Sequence, residues 1–364
     1  MFNISLVRRG VLRLWLRQNG RRLREKSVSA FRPKVLYVDT LSHPQAQINV
    51  AGMQKAYEKA SIVEPFDYRK LANSWGPKLM NEMLYETAAL LEPNLIHLGK
   101  SELVAGQTIR RIKERIDTCV IHFYGDFRWE PQPWVVEIGQ YADWTLLYHK
   151  DKDLIQKHRD MGIRHIGFWW VGTDPDIFYP RGSDKLYEVV FMANNSDFLE
   201  GHRQRRELIG AIIKKGIDLH LYGNGWEYLL GVPSVHLHPF VNNGEFAEAC
   251  SAAKITLGFN AVNNVYMYAS WRRPLNLMAC GAFHLTRYFP GLEEVFGNGK
   301  HLVWFNSIPE AVELIEYYSA NDEERERIAK AGRQEVLARH TWDDRIAEIM
   351  QYLTQCRGSN GGAA

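Results

Sequence analysis

The sequence predicts two consecutive α/β domains, each a Rossmann-like, doubly wound parallel sheet, facing one another across a cleft. Three observations carry this expectation. Short β-rich runs alternate with helical stretches twice over, and a Gly-, Pro- and Asp-rich segment separates the two series. The composition is that of an ordinary globular chain, 46% hydrophobic and 24% charged over 364 residues. Alternation of this kind means parallel strands covered by helices on both faces. At roughly 100–200 residues per domain, the length holds two domains.

The chain opens on a basic arm. Residues 1–32 hold nine Lys and Arg and one acid, Glu25, so the overall net charge of +3 leaves the remainder mildly acidic. Nucleic acid is therefore not an expected partner of the main body. At helical spacing Ile4, Val7, Val11, Leu14 and Trp15 share one side, and Arg9, Arg13, Arg17, Arg21 and Arg24 lie opposite. The apolar run is too short and too often interrupted to span a bilayer, and no cleavage site follows it. The arm is either an interfacial helix on anionic lipid or a helix packed on its own domain with a solvated arginine face. The four cysteines, Cys119, Cys250, Cys280 and Cys356, are too scattered for a metal site or a disulfide framework. A reducing, cytoplasmic setting follows, at the inner membrane face if the arm binds lipid.

The first domain is expected over 33–171. Its strands are read at 34–39, 94–98, 118–124, 144–148 and 163–168, with helices at 49–59 and 106–115. Residues 172–186, including GTDPDIFYPRGS, form the linker. The second domain covers 187–340. Strands are expected at 188–192, 218–222, 254–259, 283–286 and 302–304, and helices at 204–215 and 323–339. A last helix spans 341–354, with Asp344 placed as a capping-box partner of Thr341. Residues 355–364 are a flexible tail.

Several attractive motifs fail. Gly99-Lys100-Ser101 ends like a phosphate-binding loop, but Asn94 stands where the first glycine is needed. Gly223-Asn224-Gly225 is half a dinucleotide fingerprint, followed by Trp226 rather than a tight helix start. Asp174-Pro175-Asp176 and Asp151-Lys152-Asp153 fit an Asp-x-Asp metal pattern, yet the first flanks a linker proline and the second sits among lysines. No metal site is expected.

The chemistry-bearing residues cluster in the second half. Asn194 follows the strand at 188–192, and Arg203 and Arg205 open the next helix. Cationic forks bind a diphosphate bidentately, and free N–H groups at a helix start add to the field. Gly223, Asn224, Gly225 and Trp226 follow the next strand. There the glycines allow close approach of a ligand and the aromatic can cover a base; a plain turn explains them equally. Asn260 ends the strand at 254–259. Arg272 and Arg273 stand at the mouth of the helix that runs through Asn276 to Gly281.

These residues have a familiar order. SWRRPLNLMACGAFHLTRYFPGLEEVF, then GKHLVWFNSIPEAVELIEYY and RERIAKAGRQEVLARHTWDDR, resemble the glycosyltransferase family that includes the CgeB-like spore-maturation proteins. The resemblance runs from Gly172 to Arg345. It implies the GT-B fold, with the last helix crossing back to the N-terminal domain, and a retaining, metal-independent, cofactor-free transfer from a nucleoside-diphosphate sugar. It implies a diphosphate-facing role for Arg205, a base-side loop at Gly223 and Trp226, and the arginine of an R-x-F-E motif at Arg273. Asn276 departs from the family, which usually has a ribose-binding glutamate there. Glu293 and Glu294 lie nearby in sequence.

On the acceptor side, Asp126 follows the strand at 118–124, where it would orient or deprotonate a hydroxyl. His122, inside that strand, reads as a core histidine. His43, Asn49 and Trp129 are further acceptor-side candidates. The acceptor expected is a glycan, glycolipid or protein. Rival expectations are a nucleotide-sugar-binding homologue without activity, a sugar-nucleotide epimerase, and a DNA-modifying glucosyltransferase that grips phosphates with the arginine arm.

Overall fold

A computed structural model describes residues 4–28, 32–42, 47–182, 184–196, 200–241, 243–260, 262, 264–267 and 272–360. The first series of elements is α1 (Ile4–Ser27), β1 (Lys34–Asp39), α2 (Gln47–Ala60), β2 (Ile62–Asp67), α3 (Tyr68–Trp75), α4 (Pro77–Leu91), β3 (Leu95–Leu98), α5 (Gly106–Arg115), β4 (Cys119–Tyr124), α6 (Pro133–Gly139), β5 (Trp144–Leu147), α7 (Lys152–Asp160) and β6 (Ile166–Phe168). The second is β7 (Tyr187–Met192), α8 (Glu200–Lys214), β8 (Leu219–Tyr222), β9 (Val235–His238), α9 (Asn243–Ala252), β10 (Ala253–Gly258), α10 (Arg272–Ala279), β11 (His284–Arg287), β12 (Val303–Phe305), α11 (Ile308–Ala320), α12 (Asp322–Arg339) and α13 (Trp342–Asn360). They form two units. One gathers residues 1–148, 152–169 and 343–364; the other holds 149–151 and 170–342.

The N-terminal unit is a parallel sheet of six strands in the order β2-β1-β3-β4-β5-β6. Its core joins Leu36 and Val38 of β1 and Ile96 and Leu98 of β3 to Met80, Met83 and Leu84 of α4 and Ile109 and Ile112 of α5. Burying each such side chain contributes roughly 1.5–3 kcal/mol. Several elements escaped the sequence pattern, β2, α3, α4 and α6 among them. β2 carries Glu64 and Pro65 and lies at the sheet edge, where a missing N–H is tolerated. α4 starts with Pro77 in its first turn. The strand expected from 163 begins instead at Ile166, while Ile163 is buried in a side cluster with Val135 and Leu147.

The basic helix α1 belongs to this unit. Leu23 is buried, and Val11, Leu12 and Trp15 pack into the same core as α4. Arg22 forks onto the buried Glu64 of β2, and Lys26 Nζ reaches the same carboxylate at 2.8 Å. Val11, Leu12, Trp15 and Leu23 are thus used internally, although Leu14 stays 56% exposed. Arg9, Arg13, Arg17, Arg21 and Arg24 face outward. No described helix is long and apolar enough to cross a membrane.

α13 packs with the N-terminal unit. Trp169 Nε1 donates to the Arg345 carbonyl at 3.2 Å, and Tyr352 meets Trp144 edge-on. Cys119 of β4 is disulfide-bonded to Cys356 of α13. This corrects the expectation of scattered, unpaired cysteines: 237 residues of sequence separate a pair that folding brings together. Cys250 and Cys280 are free and buried.

The C-terminal unit is a second parallel sheet of six strands, in the order β12-β11-β10-β7-β8-β9. Its core sets Val189, Phe191, Leu219, Leu221, Ile255 and Leu257 against α8 and α11. β9 was not legible, because it alternates His236 and His238 with Val235 and Leu237 and lies at the edge.

Candidate functional site

In the C-terminal sheet the strand numbers run outward in both directions from the β7–β10 pair. Connections leave this pair toward opposite edges, which opens a crevice at the carboxyl ends of the two strands. Arg205, near the start of α8, stands at that point. Its Nε donates to the Phe259 carbonyl just beyond β10 at 2.8 Å, and its Nη1 to the Asn194 carbonyl just beyond β7 at 3.4 Å. The side chain is 7% exposed. Burial, and then the neighbouring Arg273, draw its pKa down to about 9, so it stays cationic at neutral pH.

Arg273, in the first turn of α10, also lowers His284 of β11. That imidazole is pulled to about 4 mainly by burial, and its Nε2 has no partner. Two guanidinium groups thus lie within electrostatic reach of one another, and such a pair suits an anion with several oxygens. The neutral imidazole, whose Nδ1 donates to the Thr256 carbonyl at 3.1 Å, adds no charge to it.

The loops after β7 and β8 interlock. Asn224 N donates to Asn194 Oδ1 at 3.0 Å, Asn195 N to the Asn224 carbonyl at 2.8 Å, and Asn195 Nδ2 to the Gly225 carbonyl at 2.8 Å. Gly223 and Gly225 have φ of +133° and +87°, and a Cβ on Gly225 would lie 2.4 Å from the Asn195 carbonyl oxygen. The space freed by these glycines is filled by the neighbouring loop, rather than left for a ligand. Arg206 Nη1, bonded to Asn195 Oδ1 at 3.0 Å, braces the same loop.

Other expected donor residues have different places. Trp226 is 1% exposed, its Nε1 donates to the Ala193 carbonyl at 2.7 Å, and its ring meets Phe191 in the core. It offers no face to a base. Asn276 is buried, and its Oδ1 accepts from Thr173 Oγ1 at 2.8 Å. Arg203 is exposed and paired with Glu207 on its own helix. Asn260 is half-buried beside the Arg205 anchor. Glu293 and Glu294 are exposed in the short turn after β11, where Glu293 accepts from Tyr288. The Arg272 side chain lies outside the described residues. Asp174 Oδ1 accepts from Asp176 N at 3.0 Å, the turn-forming role expected of that Asp-Pro-Asp.

In the N-terminal unit the reversal of strand order falls between β1 and β3. Asp39 ends β1 there. It accepts from Thr40 N at 2.7 Å and Tyr37 Oη at 3.0 Å. Burial, the largest effect, raises its carboxyl above the ordinary carboxylate range; the nearby Asp67 and Glu102 add to this, while its two hydrogen bonds oppose it. A Cβ on Gly99, just past β3, would sit 2.2 Å from Asp39 Oδ2. Sequence reading missed Asp39, since a single strand-end aspartate has no motif. Beside it, Thr40 donates to Tyr68 Oη at 3.2 Å, and Glu102 accepts from Tyr68 and Arg69.

Asp126, the expected acceptor-side carboxylate, is half-exposed and ion-paired with Lys100 Nζ at 2.7 Å. His122 is buried in β4, as a core histidine should be, and burial lowers it to about 4. Trp129 is exposed, edge-on to Phe127. His43 and the side chain of Asn49 lie outside the described residues.

Residues 203–351 match a family model described as glycosyl transferase-like. No curated protein matches the sequence. Among solved structures, Anabaena Alr3699/HepE in complex with UDP and glucose aligns at TM-score 0.62 and 14% identity, covering 88% of this chain and 100% of the other. Sucrose-phosphate synthase from Thermosynechococcus elongatus aligns at TM-score 0.66 and 15% identity, covering 90% and 100%. An α-glucosyltransferase in complex with UDP and a 13-mer DNA containing an HMU base aligns at TM-score 0.63 and 10% identity, covering 89% and 100%. The fold is GT-B. Arg205, Arg273 and His284 all lie in the segment that the glycosyl transferase-like family model matches.

Proposed function

We propose that the chain is a metal-independent, retaining glycosyltransferase of the CgeB-like group, moving a sugar from a nucleoside-diphosphate sugar to an acceptor hydroxyl. The single observation that carries this is Arg205, buried at the strand-order reversal of the C-terminal sheet and anchored to both flanking strand ends. A departing diphosphate accumulates negative charge, and fixed donors in a buried site stabilise it without reorganising. Arg273 supplies the second cation. The HepE and α-glucosyltransferase structures both hold UDP, which favours a UDP-sugar donor.

On the acceptor side, Asp39 is the better-placed carboxylate. Its raised carboxyl suits a hydrogen bond from an attacking hydroxyl, whereas Asp126 is committed to Lys100. The acceptor is a glycan, glycolipid or protein. A peripheral position on the inner face of an anionic membrane follows from the outward arginines of α1. Because Leu23 and Trp15 pack internally, such attachment would be electrostatic and lost at high salt.

A second reading, binding without turnover, draws on Asn276, an uncharged amide where the resembling family usually has a ribose-binding glutamate. A thermal-shift screen with UDP, GDP, dTDP, CMP and their sugars, run beside donor-hydrolysis assays, separates the two. Nucleotide far above its dissociation constant should add about 3–4 kcal/mol of stability. Stabilisation with donor turnover supports the enzyme, and stabilisation alone the binder. No response to any nucleotide overturns both.

A further inference from the structure

At the far edge of the C-terminal sheet, three histidines and an aspartate gather in a place the transfer reaction does not use. Parallel register sets His220 of β8 beside His236 of β9, and Tyr222 beside His238. With the two-residue alternation of strands, these four side chains share one face. Asp218, just before β8, closes the group: its Oδ1 lies 3.1 Å from His236 Nε2 and its Oδ2 3.5 Å from His220 Nε2.

We propose that Asp218, His220 and His236 form a binding site for a borderline divalent transition metal of the zinc class. Ligand bonds of about 2.0–2.1 Å at tetrahedral angles put neighbouring ligand atoms about 3.3 Å apart. The His236 Nε2–Asp218 Oδ1 separation is close to that value, His220 Nε2 faces the other oxygen of the same carboxylate, and one ligand atom from each of the three residues lies within 4.8 Å of the others. Two imidazoles and one carboxylate form a donor set suited to zinc, nickel or copper rather than to magnesium or calcium. His236 is half-exposed, so an ion has a way in and a water can complete the shell.

The support around these ligands is also built. His220 Nδ1 lies 2.8 Å from His238 Nε2, and the Tyr187 ring stacks on His220 at 3.8 Å. A hydrogen bond through the second ring nitrogen fixes the tautomer and aim of a metal-bound histidine. The bound ion would staple edge strand β9 to β8, whose end leads into the interlocked Gly223–Gly225 loop.

The test uses the full-length, untagged protein, stripped with chelator and titrated with zinc chloride by calorimetry. One ion per chain should bind saturably and raise Tm. His236→Ala, at an exposed position, and Asp218→Asn should abolish that binding while circular dichroism stays unchanged. His238→Ala should weaken it about 10- to 100-fold. Cobalt should give visible ligand-field absorption that vanishes in His236→Ala. Cys356→Ser, at the other unit's cysteine pair, should change nothing. Absence of saturable binding, binding retained in His236→Ala and Asp218→Asn, or binding lost in Cys356→Ser overturns the proposal.

Discussion

The carboxylate of Asp39 occupies the space that a Cβ on Gly99 would need, with Oδ2 2.2 Å from that position. Gly99→Ala must therefore displace a carboxylate that Thr40 and Tyr37 hold in place. Overpacking of this kind costs about 1–3 kcal/mol. Urea denaturation should show that loss, and Asp39→Ala should relieve most of it in the double variant. Additive costs would mean that the two residues do not share the space.

Asp39→Asn separates stability from activity. A raised native carboxyl keeps its proton to higher pH than the unfolded chain does. Stability therefore falls as pH rises from about 4 through the native value, and the neutral amide removes that loss. At pH 7 the variant should unfold at equal or higher urea than the parent, while transfer drops 100-fold or more, within the usual range for general bases. Retained transfer would remove Asp39 from the acceptor side.

Arg205→Lys keeps a charge but loses the planar fork. Charge-assisted hydrogen bonds contribute about 1.5–3 kcal/mol, so nucleoside diphosphate should bind about 10- to 100-fold more weakly. Arg203→Ala, at an exposed position paired with Glu207, should bind normally. Equal effects in the two variants would place the diphosphate elsewhere.

Acid should unfold the protein early. His97, His122 and His284 are buried, with pKa values lowered to about 3, 4 and 4, each chiefly by burial. The unfolded chain binds protons at these groups near pH 6.5, so stability is lost as pH falls from about 6.5 toward 4. The urea midpoint should drop steeply over that window. A flat profile would show that the imidazoles reach water.

Most of the fold was legible in the sequence, and the reasons for the gaps are specific. Strands built of continuous apolar runs, such as β1, β4 and β10, declare themselves. β2 does not, because Glu64 and Pro65 interrupt it, and only its edge position makes them acceptable. Arg205 was recognisable from its residue type and its place after a strand. Its anchoring to Phe259 depends on which strands become neighbours, and no local pattern states that. Trp226 looked like a ligand-facing aromatic because glycines precede it. It is core because the loop of the adjacent strand folds over it and supplies the Ala193 carbonyl. Asp39 acquires meaning only beside Gly99, which follows a different strand.

The N-terminal unit is built from stretches that lie far apart in the sequence: α13 closes it, and the Cys119–Cys356 bond joins residues 237 positions apart. During synthesis that unit must wait, one helix short, while the whole C-terminal sheet is made and released. Nascent chains halted before Trp342 should therefore expose the surface around Trp144 and Trp169 to chaperones and proteases. A frameshift or stop codon within the α13 segment, Trp342–Asn360, would damage the half of the molecule that was translated first.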